Sequence, residues 1–155
     1  MNKLLLYQVF FLLILNLASP AAAQSDQKVK WQFSAVKKSN KLYEVRLTAT
    51  IEKGWHLYSQ QQSPDAIALP TSIVFSKNPI VDMKGKPKEE GKLFDEIEAA
   101  TRTRSRYYVN KVEFIQQIEL KKNIKTSLNG EVEFMVCDDR QCLPPGNVKF
   151  SVKIQ

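Results

Sequence analysis

Between residues 43 and 52 the chain alternates without a break, with Tyr43, Val45, Leu47, Ala49 and Ile51 on one side and Glu44, Arg46, Thr48, Thr50 and Glu52 on the other. A period of two sends each set to one face of an extended strand, the apolar set inward. It excludes a helix, whose faces repeat about every 3.6 residues. The same period returns at Trp31, Phe33 and Ala35; at Val112, Phe114, Gln116, Ile118 and Leu120; at Val132, Phe134 and Val136; and at Val148, Phe150, Val152 and Ile154. Ile73-Val74-Phe75 makes a further short strand, and Ser39-Asn40, Ser63-Pro64-Asp65, Asn78-Pro79 and Asn129-Gly130 supply turn chemistry between strands. Many short strands at this spacing predict an all-β fold, an immunoglobulin-like antiparallel β-sandwich, with a barrel as the alternative. Leu93 to Thr103, rich in Glu and Ala, is the one stretch expected to support a turn or two of helix. A composition of 43% hydrophobic and 25% charged residues suits a core of this kind and excludes disordered, collagen-like and repetitive chains.

The first 23 residues read as an export signal. Lys3 gives a positive start, Leu4 to Leu17 is apolar apart from Gln8 and Asn16, and Ala21-Ala22-Ala23 offers small residues for a signal peptidase. The apolar run is shorter than the roughly 20 residues a membrane span needs. Cleavage is expected after Ala23, leaving residues 24–155 as a single periplasmic domain with no stable membrane insertion, expected to be a monomer. The net charge of +7 favours an acidic partner or an anionic surface, but the lysines fall in scattered pairs such as Lys37-Lys38 and Lys121-Lys122. No aromatic residues are interleaved with them as a nucleic-acid interface requires, so no nucleic acid is expected as a partner.

Two segments carry chemistry. From Met83 to Arg106 the chain is crowded with charge around the apolar island Leu93-Phe94. A long polar connection of this kind is either a functional loop or a solvated crossover with Phe94 at the core edge. The other segment holds both cysteines, Cys137 and Cys142, in Val136-Cys137-Asp138-Asp139-Arg140-Gln141-Cys142-Leu143-Pro144-Pro145. Alternation up to Val136 and again from Val148 places the thiols on either side of a tight connection between strands, within reach of a disulfide. As a structural staple the bond closes so short a loop that it adds only about 2 kcal/mol, against roughly 4.7 for a loop of a hundred residues. A bond in a hydrophilic turn is open to another protein's thiol, and accessible disulfides tend to be the labile ones. Asp138 and Asp139 disfavour a thiolate on Cys137 while Arg140 favours it. The competing reading is a binding module of the cell envelope with an inert disulfide. His56, both cysteines and a methionine make a weak metal set, and a lone His56 between Trp55 and Leu57 suits packing better than acid–base work. No metal or other cofactor is expected.

With these residues assembled, the chain from residue 26 to 155 resembles the amino-terminal periplasmic domains of the DsbD family of transmembrane thiol reductases, the disulfide bond corrector domains. Cys137-Asp138-Asp139-Arg140-Gln141-Cys142-Leu143-Pro144-Pro145 is similar to the family's cysteine pair followed by two prolines. Gly54-Trp55-His56-Leu57-Tyr58-Ser59 resembles its glycine-aromatic-X-leucine-tyrosine segment, with His56 where some members carry tyrosine. Gly91-Lys92-Leu93-Phe94-Asp95 resembles, more loosely, the cap loop whose aromatic residue covers the cysteines. The best-known members have one more residue between the cysteines. The resemblance implies thiol-disulfide exchange. Cys142 would form the mixed disulfide, Cys137 would resolve it, and Tyr58, Trp55 and Phe94 would shield the pair. The implied partners are a membrane thiol reductase as donor and oxidised thioredoxin-fold proteins as acceptors, each through a transient mixed disulfide. The family's eight-helix membrane domain and thioredoxin-like domain are not found within these residues. Two expectations stay open: a separate membrane protein supplies the electrons, or the domain has another use.

Overall fold

In the computed structural model, residues 24–64, 66–97 and 102–155 are described; the export signal therefore lies outside the described residues. Among the described residues a short helix α1 (Gln24–Lys28) leads into nine strands: β1 (Val29–Lys37), β2 (Leu42–Ile51), β3 (His56–Tyr58), β4 (Ser72–Phe75), β5 (Val81–Ile97), β6 (Arg104–Leu120), β7 (Thr126–Phe134), β8 (Val136–Cys137) and β9 (Gly146–Ile154). They form two antiparallel sheets. The larger runs β1-β2-β6-β3-β8 with β5 also paired to β6, and the smaller runs β4-β7-β9. The all-β, immunoglobulin-like sandwich expected from the alternation is what the chain adopts. In β2 the apolar set Tyr43, Val45, Leu47, Ala49 and Ile51 is buried and its neighbours are not. These residues meet Phe114 and Ile118 of β6 and, from the facing sheet, Leu128, Val132, Phe134, Phe150, Val152 and Ile154.

β6 organises the larger sheet. One edge pairs with β5 along its whole length, while the other takes β2 against Lys111–Glu119 and then β3 against Tyr107 and Tyr108. Two register shifts bend the β5–β6 hairpin. At the first, Gly85 takes a left-handed φ of 71°, and the buried side-chain amide of Gln116 donates to the carbonyls of Lys84 and Gly85, both at 3.3 Å. At the second, Asn110 has φ 64°, a conformation Asn tolerates better than most residues.

Three expectations change here. The charged segment from Met83 to Arg106 is a strand over most of its length rather than a loop or an intersheet crossover, because both of its flanks pair within one sheet. The helical turns expected from Leu93 are strand through Ile97, since pairing with β6 outweighs the weak helix propensity of a few Glu residues; residues 98–101 lie outside the described residues. Asn129-Gly130 is not a turn but the middle of β7, where Gly130 faces Phe75 on one side and Phe150 on the other.

Candidate functional site

The site is built where the chain leaves one sheet for the other. β7 ends at Phe134 in the smaller sheet; after Met135 the chain crosses to the larger one, where β8 pairs with β3, Val136 opposite Leu57 and Cys137 opposite His56. After four intervening residues it returns, bridging Cys142 to Cys137, and after Pro144-Pro145 resumes pairing at Gly146, opposite Phe134. The prolines have no N–H to give, which keeps Pro144 and Pro145 out of both sheets. The two cysteines form a disulfide with a Cα–Cα separation of 4.0 Å.

Backbone and one carboxylate shape the turn between the thiols. Asp138 donates its N–H to the carbonyl of Gln141 at 2.9 Å, and its Oδ1 accepts the N–H groups of Arg140 and Gln141, each at 2.8 Å. Those two backbone donors hold the Asp138 carboxyl below the usual aspartate range, and the charges of Arg140 and His56 lower it further. A depressed carboxyl pKa means the arrangement is complete above the ordinary aspartate value and is lost only as pH falls through the lowered one. The turn is therefore expected to keep its shape across mildly acidic pH. Beyond it, Leu143 donates to the carbonyl of Val136 at 3.0 Å, and Ser25 of α1 donates its hydroxyl to the carbonyl of Pro144.

The two sulfurs differ in setting. Cys137 is 0% exposed, packed in a small cluster with Tyr58 and Ala68 and bordered by Tyr107 and Met135, whereas Cys142 is exposed. Around Cys137 the rings of Tyr58, His56, Tyr107 and Phe94 form a continuous series of contacts, edge-on, tilted and then parallel. His56, directly across from Cys137, approaches the Tyr58 hydroxyl with Nε2 at 3.2 Å and lies 4.4 Å, centroid to centroid, from the ring of Tyr107. Phe94 stacks on the far side of the pairing, parallel to Tyr107 within 5° at 5.5 Å, with Lys92 Nζ 4.9 Å from its ring. Phe94 thus reaches the cysteine cluster through Tyr107. Tyr58 is in that cluster; Trp55 is not, packing against the main core with Lys28 Nζ 5.2 Å from its ring.

A second carboxylate fixes the far side of the site. Glu89 of β5 accepts hydrogen bonds from Ser59 Oγ (2.7 Å), the Gln60 N–H (2.6 Å) and the Tyr108 hydroxyl (2.8 Å), tying the exit of β3 to β5 and β6. Burial first, and Glu89 second, push the Tyr108 phenol well above its ordinary range, so it stays protonated and donating at any physiological pH. Gln62 completes the frame: its amide donates to the carbonyls of Ser59 and Arg106 and accepts from the Arg106 N–H. Glu89→Gln leaves one of the three donors facing an NH2 group, so a loss of about 1–3 kcal/mol is expected. Urea denaturation would measure it, and an unchanged midpoint would show that the clamp contributes nothing to stability.

Two participants, Tyr107 and Glu89, are not marked by the sequence. His56 is marked as a member of the Gly54–Ser59 segment, but its position opposite Cys137 depends on a two-residue strand. Tyr107 and Glu89 stood in polar surroundings with no apolar period to mark them. The Tyr107-Tyr108 pair, aromatic residues amid Arg and Asn, was the one available signal.

The profile of the family described as thiol:disulfide interchange protein DsbD, N-terminal, matches residues 21–154. No curated protein sequence matches the chain. Among solved structures, the N-terminal periplasmic domain of ScsB from Proteus mirabilis is 18% identical over 81% of this chain, with a TM-score of 0.49; the match spans 44% of that protein's chain. The DsbD n-terminal domain of Neisseria meningitidis in the reduced form is 13% identical, covering 85% of this chain and 90% of that one with a TM-score of 0.45. A complex between the DsbD N-terminal and PilB N-terminal domains from Neisseria meningitidis gives 13% identity, 88% and 87% coverage and a TM-score of 0.49.

Proposed function

Since the chain belongs to the family of DsbD N-terminal domains, whose common property is thiol-disulfide interchange, we propose that it relays reducing equivalents through the Cys137–Cys142 pair. The donor is a membrane thiol reductase or thioredoxin-like protein, and the acceptors are oxidised exported proteins of thioredoxin fold. The observation that carries this reading is the asymmetry of the disulfide: one sulfur exposed on a proline-flanked turn, the other sealed in an aromatic cluster. An inert staple needs no such division. An exchange pair does, because one thiol must meet a partner and the other must wait.

The exchange balances as two electrons and two protons. In the dithiol form the Cys142 thiolate attacks a sulfur of the partner's disulfide, and the partner's other sulfur leaves as a thiolate that takes up a proton. Cys137 then gives up its proton and attacks Cys142 Sγ; the bond to the partner breaks, its second thiolate is protonated, and the Cys137–Cys142 disulfide is formed. Reduction by the donor runs the same steps in reverse. The setting is the periplasm, with residues 1–23 removed on export and residues 24–155 working as one domain; mass spectrometry of the native protein should give a mature chain that starts at Gln24.

The test of the redox reading is mild reduction. Dithiothreitol should open the disulfide while the circular dichroism spectrum of the sandwich is retained; a bond that resists reduction until the fold is lost would identify a structural staple. Shielding is tested separately. With the Phe94 ring gone, Tyr107 loses its outer stacking partner, so Phe94→Ala should speed oxidation of the dithiol by small oxidants several-fold with the fold unchanged. An unaltered rate would reduce Phe94 to an edge-of-sheet residue.

A further inference from the structure

Lysine pairs that are far apart in the sequence come together at one end of the sandwich. The Leu120 N–H donates to the carbonyl of Lys41 at 2.9 Å and the Asn123 amide lies 3.5 Å from Asn40 Oδ1, which seats the β1–β2 turn against the β6–β7 turn. The Lys121 N–H donates to the Ile80 carbonyl at 2.9 Å, and the Asn78 amide to Thr126 Oγ1 and the Ser127 carbonyl, which adds the β4–β5 turn. Residues 37–41, 76–80 and 121–125 hold seven lysines and no Asp or Glu, and all seven lysines are exposed. The bordering carboxylates are already engaged: Glu44 with Lys38 and Arg46, Asp82 with Lys121, Glu119 with Lys84. Lys77, Lys122 and Lys125 enter no ion pair among the described residues. Among the lysines of the β6–β7 turn stands Ile124, 47% exposed and held in a tight turn by its N–H on the Lys122 carbonyl at 2.9 Å.

From this arrangement we infer that the lysine end of the sandwich docks on an anionic lipid surface, with Ile124 entering the headgroup layer. The chemistry selects that partner. Every cation in the three turns is lysine, a point charge on a flexible stem that suits a diffuse anionic surface; arginine, whose planar fork pairs bidentately with one fixed carboxylate or phosphate, is absent from them. Arg104, Arg106 and Arg140 lie toward the opposite end, where β6 pairs with β3 and the cysteine turn sits. No aromatic residue stands in these turns for a base to stack on, as single-stranded nucleic acid would need. A cluster of lysines with one aliphatic tip matches the electrostatic and apolar terms by which peripheral proteins bind anionic bilayers. From Tyr107 to Leu120 β6 runs roughly 40 Å, so a domain docked by its lysine end holds the disulfide clear of the membrane, open to partners.

The inference is independent of the redox chemistry, and vesicle binding tests it without using the cysteines. The mature protein purified after export should sediment with phosphatidylcholine vesicles that contain phosphatidylglycerol, fail to sediment with pure phosphatidylcholine vesicles, and be released by high salt. At about 1 kcal/mol per lysine near an anionic surface, the triple variant Lys77→Gln, Lys122→Gln, Lys125→Gln should bind roughly 100-fold more weakly. Lys30→Gln with Lys149→Gln, away from these turns, should bind as the parent does. In Ile124→Trp the new indole should shift its emission to the blue on vesicle addition. Equal binding to neutral vesicles, an unaffected triple variant or an unshifted indole would overturn the inference, and tighter binding to soluble polyglutamate than to the vesicles would replace the lipid with an acidic protein surface.

Discussion

Cys137→Ser should accumulate a persistent mixed disulfide with a thioredoxin-fold protein, and Cys142→Ser should accumulate little or none. The reason lies in the two environments. Cys142 sits exposed beyond Arg140, just before the prolines that stay out of the sheets, so an incoming disulfide has room to approach in line with its sulfur. Cys137 is enclosed by Tyr58, Ala68, Tyr107 and Met135 and stands next to Asp138, whose carboxylate stays charged because two backbone N–H groups hold it so. A like charge beside a thiol raises the cost of its thiolate. Left alone in the Cys142→Ser variant, Cys137 is both hard to reach and hard to ionise. Left alone in the Cys137→Ser variant, Cys142 attacks a partner and nothing resolves the product. Both variants should fold, because the six-residue ring contributes about 2 kcal/mol against a usual stability of about 5–15 kcal/mol. Non-reducing gels of periplasmic extract, followed by mass spectrometry of the trapped bands, read the outcome. Equal trapping by both variants would mean the roles are not divided; no trapping together with loss of fold would make the bond a staple.

The parts of this molecule that could be read from its sequence are those where one physical rule acts alone. β2 and β9 each bury one face against the core and expose the other, so alternation locates β2 to within a residue and β9 to within two. The cysteine turn was legible because regular strands bracket it and prolines end it. What could not be read depends on partners remote in sequence. The first half of β6, from Arg104 to Asn110, carries polar residues because its backbone is held between β5 and β3 and its N-terminal groups are met by Gln62, so no apolar period marks it. β8 is two residues long, too short for any periodicity, yet it sets His56 opposite Cys137. The lysine pairs looked scattered because the contact between the β1–β2 and β6–β7 turns spans some 80 residues of chain. Asn129-Gly130 carries the composition of a turn, and only the aromatic residues facing it across two neighbouring strands explain why it is none.

Gly130→Ala should be among the most damaging single substitutions outside the cysteines, at about 3 kcal/mol or a fall in Tm of roughly 10 °C. Gly130 has no left-handed φ to explain its identity; its reason is space. A Cβ there would stand 2.4 Å from Phe150 Cζ and 2.6 Å from the backbone oxygen of Val74. The Phe150 ring cannot simply swing aside, being 6% exposed, stacked on Phe33 at 4.9 Å and edge-on to Phe75 at 5.7 Å. The Val74 oxygen belongs to the neighbouring strand β4, so relief on that side requires the β4–β7 pairing to part. The consequence reaches the site, because the chain enters the cysteine turn from the end of β7 at Phe134 and leaves it into β9 at Gly146, and these two residues are paired to each other. Loosening β7 against β9 frees both ends of the segment that holds Cys137 against His56. The Gly130→Ala protein is therefore expected to lose stability and to have a disulfide that dithiothreitol reduces faster, while Asn129→Ala, at an exposed neighbour, should change neither. Thermal unfolding and reduction kinetics on the same samples decide it: a Gly130→Ala protein that melts like its parent would show that the Phe150 ring yields after all, and an unchanged reduction rate at a lowered Tm would show that β7 and β9 do not govern the turn.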